Sequence, residues 1–234
     1  MKLVWSPEIA SKAYIDTVKS CKRFKESGVA ELLSAMAAGW DARFIVELWS
    51  HGGAIATSVG LAVAAHNTGA RHVCIVPDDR SRAEYRAAIA TFGGGGGGAS
   101  PEVVVGEAEA VMAGLDGVDF VVVDCRRREF ARALRVARVS SRGAVLTCKN
   151  AWQRGAWFRW QGVVGRDTRL VRSVFLPVGK GLDIAYIGSR NNGNNNNNNN
   201  NNNSESSASV TRKRPSRWIK HIDENSGEEH VFRE

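Results

Sequence analysis

Apolar and polar positions along the first 190 residues alternate between short apolar runs and longer helical patterns. Two helical patterns come first, from Ser6 to about Lys25 and from Ser27 to Gly39. The apolar runs that follow are separated by helical stretches, and they lie at 43–49, 71–79, 102–106, 118–124 and 143–148. Strands that alternate with helices predict right-handed crossovers and a parallel sheet covered on both faces. The sequence therefore predicts a doubly wound α/β fold.

Two further apolar runs end this region with a different rhythm. They cover 170–176 and 182–188, and only the five residues PVGKG lie between them. Five residues are enough for a hairpin but too few for a parallel crossover. The sheet is therefore mostly parallel and is predicted to end in an antiparallel hairpin.

The C-terminal part of the chain has a different composition. A nearly pure asparagine run at 191–203 cannot bury enough surface to offset its ordering entropy, which predicts a disordered linker. We therefore expect a Rossmann-like domain at 1–190, an Asn/Ser-rich linker at 191–209 and a short segment at 210–234. Within that last segment RWIKHID and EEHVFRE flank ENSG, which suggests a small hairpin.

The unit at 43–80 is the strongest functional signal. A buried strand runs into the loop SHGGA, a helix follows, and a second strand ends in acid. Such a β–loop–α–β unit lets backbone approach a nucleotide-like cofactor, while a carboxylate reaches its ribose hydroxyls. The sequence lacks a Walker-type phosphate loop and a GxSxG nucleophile elbow.

Charge and aromatic residues indicate the kind of partner. The net charge is +8, and residues 126–172 hold thirteen arginines and lysines against two acids. Tryptophans are interleaved with these cations in 149–160, which suits a phosphate-bearing small molecule or nucleic acid. The alternative is a solvated basic helix face with tryptophans in the core.

The cysteines and the apolar runs of the chain indicate its cellular compartment. The four cysteines lack metal-finger spacing and are predicted to be free buried thiols in a reducing compartment. We see no signal peptide and no run of membrane-spanning length, so no membrane partner is expected. An intracellular protein, cytoplasmic or nuclear, is the resulting prediction, with RKRP at 212–215 as a weak nuclear-import signal.

The parallel sheet with a terminal antiparallel hairpin is the arrangement of S-adenosylmethionine-dependent methyltransferases. From KLVWSPEIASKAYIDTVKSC to SRWIKHIDENSGEEHVF the chain resembles an uncharacterised plant family of methyltransferase-like Rossmann proteins. Over 27–188, with FLPVGKGLDIA as the clearest string, it is more distantly similar to caffeoyl-coenzyme-A-type O-methyltransferases. The resemblance implies S-adenosylmethionine as cofactor.

The distant resemblance also implies cofactor-binding positions. These are the acid Glu47 with Gly52 and Gly53 after the first strand, Asp79 after the second as the ribose ligand, and Gly106, Glu107 and Ala108 after the third. Asp78 is an alternative to Asp79. The family has a glycine where this chain has Trp49, and an indole there fills the space unless the loop is reshaped.

The metal site of those enzymes is only partly matched. Asp124 stands at its first carboxylate position, but the Asp-Asn pair after the fifth strand reads Lys149-Asn150. A fixed ammonium repels a divalent cation, so the sequence predicts no catalytic Mg²⁺. Asp124, Lys149 and Asn150 are then the catalytic candidates for metal-independent methyl transfer, and a structural Asp124–Lys149 ion pair is the alternative.

Two functions follow from these residues. The first is a methyltransferase-like protein that binds S-adenosylmethionine and methylates a small or phosphate-bearing acceptor held by 149–160. The second is a catalytically inactive protein of the same fold that binds a ligand, a partner or nucleic acid. A fold shared with enzymes does not decide between them.

Overall fold

The computed structural model describes residues 5–22, 24, 28–91, 100–126, 129–153, 158–163, 168–189, 218–222 and 229–233. The chain divides into two compact units, Met1–Asn192 and Gly193–Glu234. The predicted linker at 191–209 and the six-glycine run lie outside the described residues.

The first unit is built on a seven-stranded sheet with the order β3-β2-β1-β4-β5-β7-β6. The first five strands pair in parallel, and β7 pairs antiparallel with both β5 and β6. This confirms the predicted α/β fold and its terminal hairpin. The strands are β1 Phe44–Leu48, β2 Arg71–Val76, β3 Glu102–Val105, β4 Phe120–Asp124, β5 Ala144–Lys149, β6 Thr168–Leu176 and β7 Leu182–Ser189.

Helices cover both faces of this sheet, and a hydrophobic cluster lies under each layer. One layer packs on Ile45, Val122 and Val145, and the other packs on Val46, Val121 and Leu146. Alternate residues of the central strands thus face opposite clusters, as the strand period of two requires. The helices are α1 Pro7–Ser20, α2 Val29–Gly39, α3 Ile55–Thr68, α4 Asp79–Ala90, α5 Ala108–Ala113, α6 Phe130–Val136 and α7 Trp160–Val163.

The first helix is shorter than its periodicity predicts. It ends at Ser20 rather than near Lys25, because Cys21 turns the chain and is buried with its Sγ 3.9 Å from the carbonyl oxygen of Ala56. The second helix is preceded by Gly28 at φ 61°, a left-handed conformation that favours glycine.

Helices α2 and α3 approach each other at Gly60. A Cβ atom added to Gly60 would lie 2.5 Å from the backbone oxygen of Ala30. No real Cβ atom tolerates that distance, so the glycine is required by helix packing rather than by a turn.

The two edges of the sheet differ in length. At one edge β3 has four residues, and at the other β6 has nine with a register shift between Leu170 and Arg172. Such a bulge leaves one residue unpaired and bends the strand locally.

The second unit contains two antiparallel strands, β8 Trp218–Ile222 and β9 Glu229–Arg233. They coincide with the two runs that the sequence predicts as a hairpin. Among the helices of the described residues, none is long and apolar enough to cross a bilayer.

Candidate ligand-binding site

A pocket of about 240 Å³ opens at the carboxyl ends of the parallel strands. It lies where the strand order reverses between β1 and β4, the position at which open α/β sheets bind ligands. Four chain segments that follow β1, β2, β3 and β4 form its wall: Leu48–Ser50, Ile75–Pro77, Gly106–Glu109, and Asp124 with Glu129, Phe130 and Arg132.

The wall after β1 contains Trp49, which stands where the sequence resemblance expects a glycine. Its indole is 4% exposed and packs with Cys74, Val76 and Tyr85. The ring meets Tyr85 edge-on, with centroids 5.3 Å apart. The side chain is therefore buried in the core between β2 and α4, and the pocket is formed beside it.

Glu47 lies on β1, two residues before Trp49, and is not part of the pocket wall. Its carboxylate is buried and accepts hydrogen bonds from Tyr85 Oη at 2.7 Å and from Ser58 Oγ at 2.8 Å. His72 Nε2 is 3.3 Å from the same carboxylate. Burial alone raises the pKa of Glu47, but His72 and Tyr85 outweigh that effect, so the pKa is lowered and the carboxylate stays charged.

The glycine loop after β1 is anchored to α4. Gly52 has φ 70° and donates its N–H to Glu84 Oε1 at 3.1 Å. The imidazole of His51 pairs with the same carboxylate, and the His51 N–H donates to Ser81 Oγ at 3.2 Å. A Cβ on Gly53 would lie 2.8 Å from the backbone oxygen of Ser50. Both glycines therefore shape the loop, and neither lines the pocket.

Glu84 was not a candidate in the sequence, because a glutamate in a helical pattern carries no sign that it holds a loop. The hydrogen bond from the Gly52 N–H lowers the pKa of Glu84 most, desolvation opposes it, and the contact with His51 lowers the pKa further.

The acids after β2 begin α4 instead of reaching the pocket. Asp78 is the N-cap, and its Oδ1 accepts the N–H of Ser81 at 2.7 Å. The Asp79 side chain is 76% exposed and pairs with Arg82 at 2.8 Å. An acid in the first turn stabilises the helix, which gives both residues a local role. The assignment of Asp79 to a ribose stays a prediction.

The predicted positions after β3 do line the pocket. Gly106 donates its N–H to the carbonyl oxygen of Val76 at 2.9 Å, which extends the β2–β3 pairing by one residue. Glu107 and Ala108 follow at the start of α5. Glu109 in α5 lies 3.8 Å from Arg132 in α6, so an ion pair connects the two helices beside the pocket.

Asp124 ends β4 and faces the same pocket. Its carboxylate accepts hydrogen bonds from Arg126 Nη2 at 2.7 Å, from Arg126 Nε at 3.0 Å and from the Arg126 backbone N–H at 3.0 Å. Burial raises the pKa of Asp124, but the Arg126 contacts, a hydrogen bond from Asn150 and the charge of Lys149 lower it further than burial raises it. The group is therefore a stably ionised carboxylate whose oxygens are largely occupied.

Lys149 and Asn150 lie beside this carboxylate. Lys149 is opposite Asp124 in the β4–β5 register and is buried, while Asn150 has φ 58° where the strand ends. In the described part of the chain, Arg126 and not Lys149 forms the ion pair with Asp124 within 4 Å. Arg126 could not be recognised from the sequence, because an arginine two residues from an acid becomes its partner only when the chain turns sharply after the strand.

The aromatic segment 149–160 divides into exposed and buried parts. Trp152 is 64% exposed and meets Phe175 edge-on at 4.7 Å, at the same carboxyl edge as Asn150. Phe158 and Trp160 are buried, and Trp160 Nε1 donates to Asp183 at 2.9 Å. These two rings belong to the core, whereas the Trp152 ring is exposed at the surface, where a ligand can contact it. Trp157 lies outside the described residues.

Several arginines of the basic block are already paired. Arg126 binds Asp124, Arg132 pairs with Glu109, and Arg142 reaches Asp119 at 2.7 Å.

Within the described residues, no group of three His, Cys, Asp or Glu side chains is arranged to hold a metal ion.

Comparison with solved structures identifies relatives of this fold. A methyltransferase from Geobacter sulfurreducens has a TM-score of 0.52 at 20% identity, covering 76% of this chain and 88% of that one. An SAH-bound methyltransferase from Podospora anserina has a TM-score of 0.52 at 15% identity, covering 79% and 89%. A Staphylococcus aureus protein provisionally named a caffeoyl-CoA O-methyltransferase has a TM-score of 0.51 at 12% identity, covering 76% and 91%. At these identities the likeness shows the methyltransferase fold alone.

Sequence comparison adds a family but no activity. The family described as "Protein of unknown function (DUF1442)" matches residues 1–234. No curated protein matches the chain in sequence.

Proposed function

Because this chain belongs to the DUF1442 family, whose description assigns no activity, we propose from the site itself that its carboxyl-edge pocket binds S-adenosylmethionine. The observation that carries this proposal is the position of the pocket, at the switch point between β1 and β4 with the backbone of Gly106–Ala108 in its wall. The fold relatives support it, since the Podospora anserina structure is SAH-bound.

The residues present fit this ligand in three respects. The indole of Trp49 is packed against Tyr85 in the core, and the pocket is formed beside it. The pocket wall contains the carboxylates of Glu107, Glu109, Asp124 and Glu129, which outnumber the two arginines that pair with Asp124 and Glu109. A wall with an excess of negative charge suits a sulfonium cation. The apolar wall formed by Leu48, Ile75 and Phe130 suits a flat purine ring. If Asp79 keeps its pairing with Arg82, one of these pocket carboxylates would have to bind the ribose hydroxyls of the cofactor.

The chemistry that follows is methyl transfer without a metal ion. S-adenosylmethionine supplies an electrophilic methyl group, and such an in-line displacement depends mainly on alignment of the acceptor. Arg126 occupies the Asp124 oxygens that a divalent cation would need. Lys149 and Asn150 lie beside them and would orient the acceptor by charge and hydrogen bond.

The acceptor in this proposal is a small or phosphate-bearing molecule. Trp152 offers an exposed indole face at the same sheet edge, and the buried Lys149 adds a positive charge at the end of β5. Nucleic acid is supported less well, because Arg126, Arg132 and Arg142 are each engaged by a carboxylate. A phosphate backbone would have to displace those partners.

A second candidate is a protein that binds the cofactor without catalysis. It is supported by Asp124, whose lowered pKa makes it a weak general base at neutral pH. Methyl transfer and cofactor binding without catalysis use the same pocket, and they differ only in whether a methyl group is transferred and SAH is formed. Formation of SAH over a panel of phenolic, carboxylate and phosphorylated acceptors distinguishes them.

Thermal unfolding of the full chain tests the shared part of the proposal. Ligand at about a hundred times its dissociation constant adds roughly 2.7 kcal/mol to the free energy of unfolding. For a domain of this size that raises Tm by about 5–11 °C. We expect that shift with S-adenosylmethionine or SAH and none with NAD. No shift with either sulfur ligand at millimolar concentration contradicts cofactor binding.

A further inference from the structure

The outer face of α1 carries an exposed apolar stripe. Tyr14 is 47% exposed, Ile15 is 51% and Val18 is 39%. The inner face of the same helix, with Ala10 and Thr17, is buried against α2 and α3. Because successive residues rotate by about 100° around a helix, Ile15 projects directly away from the body of the protein.

This stripe differs from the other exposed apolar residues. Trp5 lies with its ring against Gly39, Trp152 packs edge-on against Phe175, and Val171 stands at the bulge of β6. Scattered single residues of that kind are normal on a protein surface. Three large apolar side chains on one helix face form a contiguous patch, which in soluble proteins marks an interaction surface.

We infer that this face is a self-association surface, on which α1 of a second copy packs antiparallel about a two-fold axis. The axis passes between Tyr14 and Ile15, so each of these residues faces the other type in the second copy. The same symmetry places the small Ser11 opposite the larger Val18 at both ends. Small and large side chains thus complement each other along the stripe.

Charge complementarity selects a second copy in this orientation. Glu8 lies in the first turn of α1, and Lys22 lies just beyond its last turn. The antiparallel arrangement brings Glu8 of each copy near Lys22 of the other, whereas a parallel arrangement would oppose like charges. It also sets the two helix dipoles side by side in opposite directions, which brings the positive end of each helix near the negative end of the other.

The size of the surface predicts a weak dimer. A helix of fourteen residues is about 21 Å long, and one face of it in each copy buries less than a standard interface. We therefore expect a monomer–dimer equilibrium that depends on protein concentration. The association is independent of the pocket and of the proposed cofactor.

Sedimentation velocity of the full chain over about a hundredfold range of concentration measures this equilibrium. Ile15→Glu should raise the dissociation constant by at least about tenfold, because it places two charges at the centre of an apolar contact. Val171→Glu is the matched control, since it adds the same charge at a β-branched residue that is 48% exposed on another surface. Far-ultraviolet circular dichroism verifies that both variants fold.

Charge reversal tests the orientation separately. Glu8→Lys and Lys22→Glu should each weaken the dimer, and the double reversal should restore it. A monomer at every concentration overturns the inference, as does an Ile15→Glu variant that associates like the parent. Binding of the parent to neutral or anionic lipid vesicles, with no dimer in solution, also overturns it and assigns the face to a membrane surface.

Discussion

Arg126 holds the carboxylate of Asp124 from two residues away, with its Nη2 2.7 Å from Oδ2 and its backbone nitrogen 3.0 Å from Oδ1. The chain after β4 therefore curls back on the strand end and satisfies its own acid. This pair sets the electrostatics of the pocket wall, because it leaves Lys149 as the neighbouring cation without a salt bridge to Asp124 within the described residues.

Replacement of Arg126 by alanine should lower the free energy of unfolding at pH 7 by about 1 kcal/mol, since the arginine is partly exposed. The folded-state pKa of Asp124 lies below its unfolded value, so this stabilisation is complete above the unfolded pKa of about 3.9 and disappears as pH falls through the folded pKa. Urea denaturation at pH 7 and near pH 3 measures both. Arg135→Ala, at an exposed arginine of α6, is the control. An equal loss at both pH values contradicts the ion-pair explanation.

Replacement of Glu47 by glutamine should destabilise the fold by about 2 kcal/mol or more, because a buried charge that accepts two hydroxyls and faces His72 is removed. Tyr85→Phe keeps the ring against Trp49 and removes one hydrogen bond, so it should cost about half as much. Guanidinium denaturation of both variants gives the comparison. If Glu47→Gln is as stable as the parent, the carboxylate is not the centre of this network.

Replacement of Gly60 by alanine should destabilise the protein by about 1–3 kcal/mol, because the new Cβ would meet the Ala30 carbonyl at 2.5 Å and push α2 from α3. Gly162→Ala is the matched control, since its Cβ meets nothing within 4 Å. That control should be neutral or stabilising by up to about 1 kcal/mol. Thermal unfolding of the Gly60→Ala and Gly162→Ala variants compares the two effects. Equal Tm values would show that α2 and α3 can separate without a loss of stability.

The pocket carboxylates should distinguish the two sulfur ligands. Glu129→Gln removes a negative charge from the wall, so it should weaken S-adenosylmethionine binding by about two- to tenfold and leave the neutral sulfur of SAH nearly unaffected. Isothermal titration at low salt measures both affinities. Asp79→Asn is the control and should change neither, because Asp79 pairs with Arg82 outside the pocket. Loss of both ligands in Asp79→Asn would instead support the ribose assignment.

The fold could be predicted from the sequence because its signals are periodic and local. Five apolar runs separated by helices indicate parallel strands, and the five-residue link PVGKG before Leu182 permits only a hairpin. Strand ends and the loops after them were predicted in the right order for the same reason. Helix α1 is the exception, because the early turn at Cys21 depends on a contact with Ala56 in another helix.

Side-chain direction at the site could not be predicted in this way. Whether Trp49 fills the pocket or the core depends on Tyr85, which is thirty-six residues away in sequence and belongs to α4. The anchoring of the glycine loop by Glu84 depends on the same helix. Both are tertiary contacts between polar or aromatic groups without a repeating spacing, so no local pattern reports them.

The outer strands of the sheet also affect how the protein behaves in concentrated solution. An open sheet exposes unpaired backbone at each end, and a long flat edge would template the addition of strands from other molecules. Here β3 is too short to do so, and the irregular pairing of β6 at Leu170 and Arg172 interrupts its ladder next to exposed arginines. Both edge strands, as far as they are described, therefore disfavour the addition of a strand from another molecule.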